Sequence, residues 1–324
     1  MTKLLPITLL LVFALSAQEQ PIRVDVPVVF VPVTVTDSHG RYLNNLDAPD
    51  FELADNGKPV PFSLTTSDSL SAPLALAVLV QANEPAVTAI EKIRKVGSVV
   101  HALVAGQRGS VMLMAYGDEI KTIQPWTRDP DSLSASFKSI RPQWTAKARM
   151  LDAVTAAVDE LARRAPEERR VLLIIGEAKD RGSKTEVLAA AEAASRAGVI
   201  IHGVTFSAYA TAFTRKGETT PTTTGGFNVL GMLSEIGRLG KENTMEMLAY
   251  TSGGRRRGFT TLHGLEEELA HTGEEIHSQY LLSFTPQNPT PGFHSLTVRI
   301  KNPKDTQVRT RNGYWAGDPL PATP

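Results

Sequence analysis

Apolar positions along the chain fall into three stretches of different period. Arg23–Thr36 alternates and is rich in valine (Val24, Val26, Val28, Val29, Val31, Val33, Val35), with Pro27 and Pro32 interrupting. A period of two predicts a half-buried strand, and proline, which cannot donate to a ladder, places it at a sheet edge. Asp37-Ser38-His39-Gly40 reads as a turn and Phe51-Glu52-Leu53 as a short strand, with Asn56-Gly57 a hairpin signal leading into Val60–Leu64. From about Ala72 strand and helix patterns alternate. Leu74–Val80 (Leu-Ala-Leu-Ala-Val-Leu-Val) is apolar without a break, as a parallel strand is when helices cover both of its faces. Ala86–Ala105 carries Ile90, Ile93, Val96, Val100 and Leu103 at roughly helical spacing. Ser110–Tyr116 is strand-like, and Glu119–Gln124 pairs with it. The Asp129 carboxylate can accept free N–H groups and cap a helix running to Ile140. Leu151–Arg164 is helical, Arg170–Ile175 a buried strand, Lys184–Ala197 a helix ended by Gly198, and Val199–Phe206 another buried strand.

Between Ser207 and Lys241 the periodicity lapses, with a threonine-rich stretch at Thr211–Thr224, and the whole excursion reads as a mobile loop. Helices follow near Glu242–Tyr250 and Leu265–Ser278, then strands at Gln279–Thr285, Phe293–Lys301 and Thr306–Trp315, with a frayed tail Asp318–Pro324. The order β, then α/β, then β predicts an α/β fold class: a doubly wound, mainly parallel sheet with flanking β segments that can pair into one small β-sandwich. The corresponding boundaries are 18–70 for the N-terminal β segment, 71–260 for the α/β domain and 261–324 for a helix plus the C-terminal β segment.

Residues 1–17 read differently. Lys3, an apolar run Leu4–Leu15 and small Ser16 and Ala17 form a secretory signal peptide, so the protein is expected to be exported, periplasmic or secreted. As an uncleaved anchor the run would be too short, because about 20 apolar residues are needed to span a bilayer. Lys+Arg 34 against Asp+Glu 34 leaves no basic surplus to favour nucleic acid or an anionic membrane surface. With no cysteine, the chain has neither disulfides nor a cysteine-borne lipid anchor.

Little in the motif inventory points to chemistry. Of seven histidines the nearest set is His263, His271 and His277, the last two six apart and so on different helix faces, and no His-Glu-x-x-His occurs. There is no Gly-x-Ser-x-Gly elbow, Walker A loop or dinucleotide fingerprint. Arg255-Arg256-Arg257 could steer an acidic partner but reads more simply as solvated surface, and Trp126 with Tyr314-Trp315 as packing for the β segments.

Five phrases stand in order along the chain: Val33-Thr34-Val35-Thr36-Asp37 with Gly40-Arg41, Leu46 and Asp50-Phe51-Glu52; the strand Leu74–Val80; Asp129 with Leu133; Leu248-Ala249 with Thr251-Ser252-Gly253-Gly254-Arg255; and the close Ser278-Gln279-Tyr280-Leu281-Leu282, Val298-Arg299-Ile300 and Val308-Arg309-Thr310-Arg311-Asn312-Gly313-Tyr314. Together they resemble the secreted VWFA-related (von Willebrand factor A-like) domain proteins of Acidobacteria. The resemblance implies a divalent-metal adhesion site made of two carboxylates and three hydroxyls on three loops. Carried over residue by residue, its positions fall on Gln81, Asn83 and Pro85, on Ala148 and on Glu177. Mg²⁺ requires hard oxygen ligands in near-octahedral array. Two neutral amides, one carboxylate and two residues without a side-chain oxygen make a poor set, so the site is expected to be degenerate, with no cofactor beyond weak Mg²⁺ binding. Glu84, Lys147, Arg149 and Asp180 remain as a polar rim.

The expectation is a non-enzymatic module that binds a protein partner at the carboxyl edge of the sheet, without metal. Two alternatives stay open. One is a metal-dependent adhesion protein with non-standard ligands recruiting Glu84 or Asp180. The other is an exported hydrolase built on Asp118, Glu119, Asp152 and Glu177.

Overall fold

The computed structural model describes residues 28–65, 73–165, 167–206, 243–287, 289–301 and 306–317. The signal segment 1–17 and the Ser207–Lys241 stretch lie outside these residues. Fourteen strands are described among them. They are β1 Val29–Asp37, β2 Phe51–Asp55, β3 Lys58–Pro59, β4 Ser63–Thr65, β5 Leu74–Gln81, β6 Ser110–Tyr116, β7 Ile120–Thr127, β8 Arg169–Gly176, β9 Ile200–Thr205, β10 Arg256–Gly258, β11 Tyr280–Phe284, β12 Gly292–Ile300, β13 Thr306–Thr310 and β14 Gly313–Ala316. The helices are α1 Val87–Ile93, α2 Gly97–Val99, α3 Pro130–Ser139, α4 Met150–Ala162, α5 Val187–Arg196, α6 Thr244–Ser252 and α7 Leu262–Ser278.

Six strands form the central sheet in the order β10-β9-β8-β5-β6-β7, all parallel except the antiparallel edge strand β7. Strand β5 is buried at every position. Leu74, Leu76, Val78 and Val80 face a layer containing α1, α3 and α7, while Ala75, Ala77 and Leu79 face α4, α5 and α6. That two-sided cover explains the unbroken apolar run. Successive connections leave β5 on opposite sides, toward β6 and toward β8. The carboxyl end of β5 is therefore the switch point at which open α/β sheets bind ligands.

The flanking segments pair into one antiparallel sandwich of two four-stranded sheets, β13-β1-β11-β4 and β14-β12-β2-β3. Its core joins Val31, Val33, Val35, Phe51 and Leu53 from the first segment with Tyr280, Leu282, Val298 and Tyr314 from the last. Asn56 and Gly57 both take positive φ (46° and 77°) in the two-residue turn between β2 and β3, as the hairpin signal predicts.

Several elements differ from the expectation. Strand β1 is not an edge strand: β11 pairs Val29–Val33 and β13 pairs Val33–Asp37. Only one neighbour is present along most of its length, and Pro32 sits in the half where one side is open, which tolerates a missing N–H. Val60–Leu64 is not one strand, because the chain crosses to the other sheet between β3 and β4. Thr306–Trp315 likewise divides at Arg311-Asn312 into β13 and β14, in different sheets. The long helix 86–105 breaks up. A 3₁₀ turn at Glu84–Ala86 precedes α1, and α2 runs into a π turn at Val100–Ala105. A Cβ on Gly97 would stand 2.8 Å from Ser134 Cα, so α3 packs against the break itself. Helix α7 contributes Leu265, Leu269 and Ile276 to the core of the α/β sheet.

Candidate functional site

Gln81 ends β5 with its side chain fully buried, and Asn83 is equally buried two residues on. The Gln81 carboxamide links two loops. Its Oε1 accepts the Glu177 backbone N–H at 2.7 Å, which fixes the orientation of the amide, since an N–H can only donate. Its Nε2 then donates to Asn83 Oδ1 at 2.8 Å and to Glu177 Oε2 at 3.0 Å. Asn83 Nδ2 donates onward to Ala146 O at 3.2 Å, and Arg181 closes the other side of Glu177 at 3.2 Å. Gly176 is required here because a Cβ would lie 2.3 Å from the Tyr116 hydroxyl and 2.9 Å from Gln81 Oε1. That hydroxyl lies buried without a hydrogen-bond partner, and burial pushes its ionisation upward.

Three loops are stitched around this network. Ala148 and Arg181 exchange two backbone hydrogen bonds of 2.9 Å. Gln143 N–H donates to Ala82 O at 2.6 Å, and Glu84 N–H to Thr145 O at 3.1 Å. The Gln143 carboxamide bonds the Glu119 backbone in both directions, at 3.0 and 2.9 Å. Asp180 accepts from Leu151 N–H and Ser183, capping the start of α4. The structure thus brings Gln81, Asn83 and Glu177 into direct contact and puts Ala148 in the wall beside them. Pro85 and Asp180 have other roles, in the turn before α1 and at the α4 cap.

This donor set does not fit a divalent cation. Asn83 Oδ1 and both Glu177 oxygens already receive N–H donors, and Ala148 and Pro85 offer no side-chain oxygen. Among the described residues no group of three or more His, Cys, Asp and Glu is placed to hold a metal ion. Each of the four candidate hydrolase acids is paired with its own cation. Asp118 pairs with Lys147, Glu119 with Lys121, Asp152 with Arg149 and Glu177 with Arg181. Burial alone would raise the Asp152 carboxyl, but hydrogen bonds from Thr185, Lys184 and Arg149 hold it below the usual carboxylate range.

Sequence reasoning missed Trp144. It stands on the loop between α3 and α4, 77% exposed, the most exposed large hydrophobic residue among those described. Its sequence signal is Arg-Pro-Gln-Trp-Thr, an aromatic in a polar loop with no apolar period to bury it. The other tryptophans are packed. Trp126 lies under the Arg164 guanidinium, 4.7 Å from the ring centroid, and Trp315 meets Phe293 edge-on at 4.6 Å.

A second polar cluster lies at the seam between sheet and sandwich. Glu275 of α7, fully buried, meets Arg309 of β13 at 2.6 Å and Arg257 of β10 at 3.2 Å, with His202 of β9 at 3.7 Å. The Arg309 approach is a close ion pair rather than an aligned hydrogen bond, since the same oxygen has no hydrogen-bond partner of good geometry. Burial would raise the Glu275 carboxyl, yet Arg309, His202 and Arg257 hold it down at about 2. His202 is pushed down to about 4, chiefly by burial. Arg309 also donates to Gly253 O and Gly254 O. The arginine run is therefore not solvated surface: Arg256 pairs with Glu246 at 2.6 Å and Arg257 enters the seam.

No helix among the described residues is long and apolar enough to cross a membrane. No protein-family model matches the chain. No curated protein matches it either. Among solved structures it is similar to an aerotolerance-related membrane protein from Bacteroides fragilis NCTC 9343, with 14% identity, a TM-score of 0.42, and 62% of this chain and 98% of that one covered. It is also similar to proximal thread matrix protein 1 from the mussel byssus with a zinc-occupied MIDAS motif, with 11% identity, a TM-score of 0.45, and coverage of 66% and 48%. The SpRpn10 VWA domain is similar as well, with 12% identity, a TM-score of 0.35, and coverage of 61% and 93%.

Proposed function

We propose that this is an exported, non-enzymatic binding module of the VWFA-related type, which docks a protein partner at the carboxyl edge of its central sheet without a metal ion. The pattern of residues 1–17 supports export. The observation that carries the reading is Trp144, which leaves its indole in solvent on the rim of the switch point. Exposing so large an apolar side chain forfeits burial worth about 1.5–3 kcal/mol, and tryptophan is among the residues enriched at the energetic centres of protein interfaces. The buried network beneath it supports metal independence, because its polar atoms are spent on one another.

The test is a photo-crosslinking residue placed at exposed Lys147, with Gln107 at the opposite end of the sheet as control. A discrete protein adduct is expected from position 147 alone, unchanged by EDTA or by Mg²⁺. No adduct, or the same adducts from both positions, sinks the proposal, and an adduct that EDTA abolishes restores metal-bridged docking.

A further inference from the structure

We propose that the Trp144 rim receives a cationic side chain, an arginine or lysine of the protein partner, stacked on the indole with Glu84 as its counter-ion. This rests on the edge-docking reading above and adds the partner's chemistry.

Two observations carry it. The hydrogen bond from Glu84 N–H to Thr145 O, 3.1 Å long, sets Glu84 beside the residue that follows Trp144. Both side chains belong to exposed residues. The second observation is the charge pattern around the indole. Lys147 is matched by Asp118, Arg149 by Asp152, Arg181 by Glu177 and Lys121 by Glu119. Arg141 turns back to the carbonyls of Lys138 and Ile140 at the end of α3. Lys179 and Lys184 belong to the loop anchored on α6 and on Asp152. Glu84 forms no ion pair among the described residues, so it is an exposed acid of this rim left without a cation.

An indole face attracts a guanidinium or ammonium through its quadrupole, and tryptophan does so best of the aromatic side chains. A carboxylate beside the ring favours the same cation and disfavours an acidic segment. Docking removes both groups from water and strengthens both effects. The polarity is the reverse of metal-bridged recognition, in which an acidic residue of the partner completes the coordination of the ion.

Random peptides displayed on phage are selected in parallel on the mature protein, on W144A and on E84Q. Both substituted residues are exposed, so folding is preserved. Peptides recovered on the unsubstituted protein are expected to share an Arg or Lys. A synthetic copy of the best one should bind W144A and E84Q at least about tenfold more weakly, and should lose binding when its cation is replaced by Glu. Recovery of acidic or uncharged peptides, undiminished binding to W144A, or recovery of nothing overturns the inference. If the position-147 adduct still forms, edge docking stands and only the partner's chemistry is wrong. If no adduct forms either, both fall.

Discussion

Gln81 holds two loops together through one carboxamide, and its removal is the clearest residue-level test of the closed site. Gln81→Ala would strand the Glu177 N–H, one Glu177 oxygen and Asn83 Oδ1 in a buried pocket. Leaving buried polar groups unpaired costs about 1–3 kcal/mol each, less whatever water recovers. A loss of about 3 kcal/mol in urea unfolding is expected, and a loss below 1 kcal/mol would mean that the network is dispensable. Metal titration gives a second test. A real site at a hundredfold excess over Kd would add about 2.7 kcal/mol, so Tm in EDTA and in millimolar Mg²⁺, Mn²⁺ or Ca²⁺ is expected to coincide. The positions Gln81, Asn83 and Glu177 were legible in sequence through the family likeness. Their mutual bonding was not, because Gln81 ends β5 and Glu177 directly follows β8, and the β5–β8 pairing brings the two strand ends together. Arg181 and Trp144 were missed for another reason: loop residues carry no periodicity to mark them.

At the scale of elements, alternation and unbroken apolar runs identified the sheet strands β5, β6, β8 and β9, and the Asp129 cap placed the start of α3. What local pattern could not supply was where strands change sheets. At the break between β13 and β14 sits buried Arg311, which donates to Gly313 O and Phe30 O within the sandwich and to Ser195 O of α5 across the seam. The 86–105 helix failed as a prediction because Gly97 serves α3 rather than its own helix. The turn after α6 has a comparable tertiary purpose. Gly253, at φ 87°, closes the helix, and a Cβ on Gly254 would stand 2.0 Å from Ile201 O. Gly254→Ala must therefore push the turn off β9 and disturb the carbonyl that Arg309 binds. The expected loss is about 1–3 kcal/mol, the usual toll of overpacking, measured by denaturant unfolding. A neutral result would show that the turn has room to move.

For the whole molecule, the Glu275 cluster ties sheet to sandwich, and it makes stability depend on pH in one direction. His202 titrates near 4 when folded against 6.5 ordinarily, and Glu275 near 2 against 4.5. In both cases the unfolded chain binds the proton more readily. Stability is therefore full above about 6.5, declines as pH falls toward 4 on account of His202, and declines further between 4.5 and 2 on account of Glu275. The charges facing His202 are Glu275 of α7, Arg309 of β13, Arg257 of β10 and Arg169 of β8. His202→Asn is expected to flatten the decline between 6.5 and 4 and, because His202 also helps hold the Glu275 carboxyl down, to shrink the lower decline in part; an unchanged profile would assign the acid sensitivity elsewhere.

The interleaving of first and last segments in the sandwich also has a consequence in time. Strand β1 leaves the ribosome long before β11 and β13, the strands that pair with it. Until Tyr280–Phe284 and Thr306–Thr310 have followed, a valine-rich ribbon has both edges open. The nascent chain thus cannot finish its sandwich before its last strands appear. That delay makes any early-terminated product a natural client for chaperones and proteases.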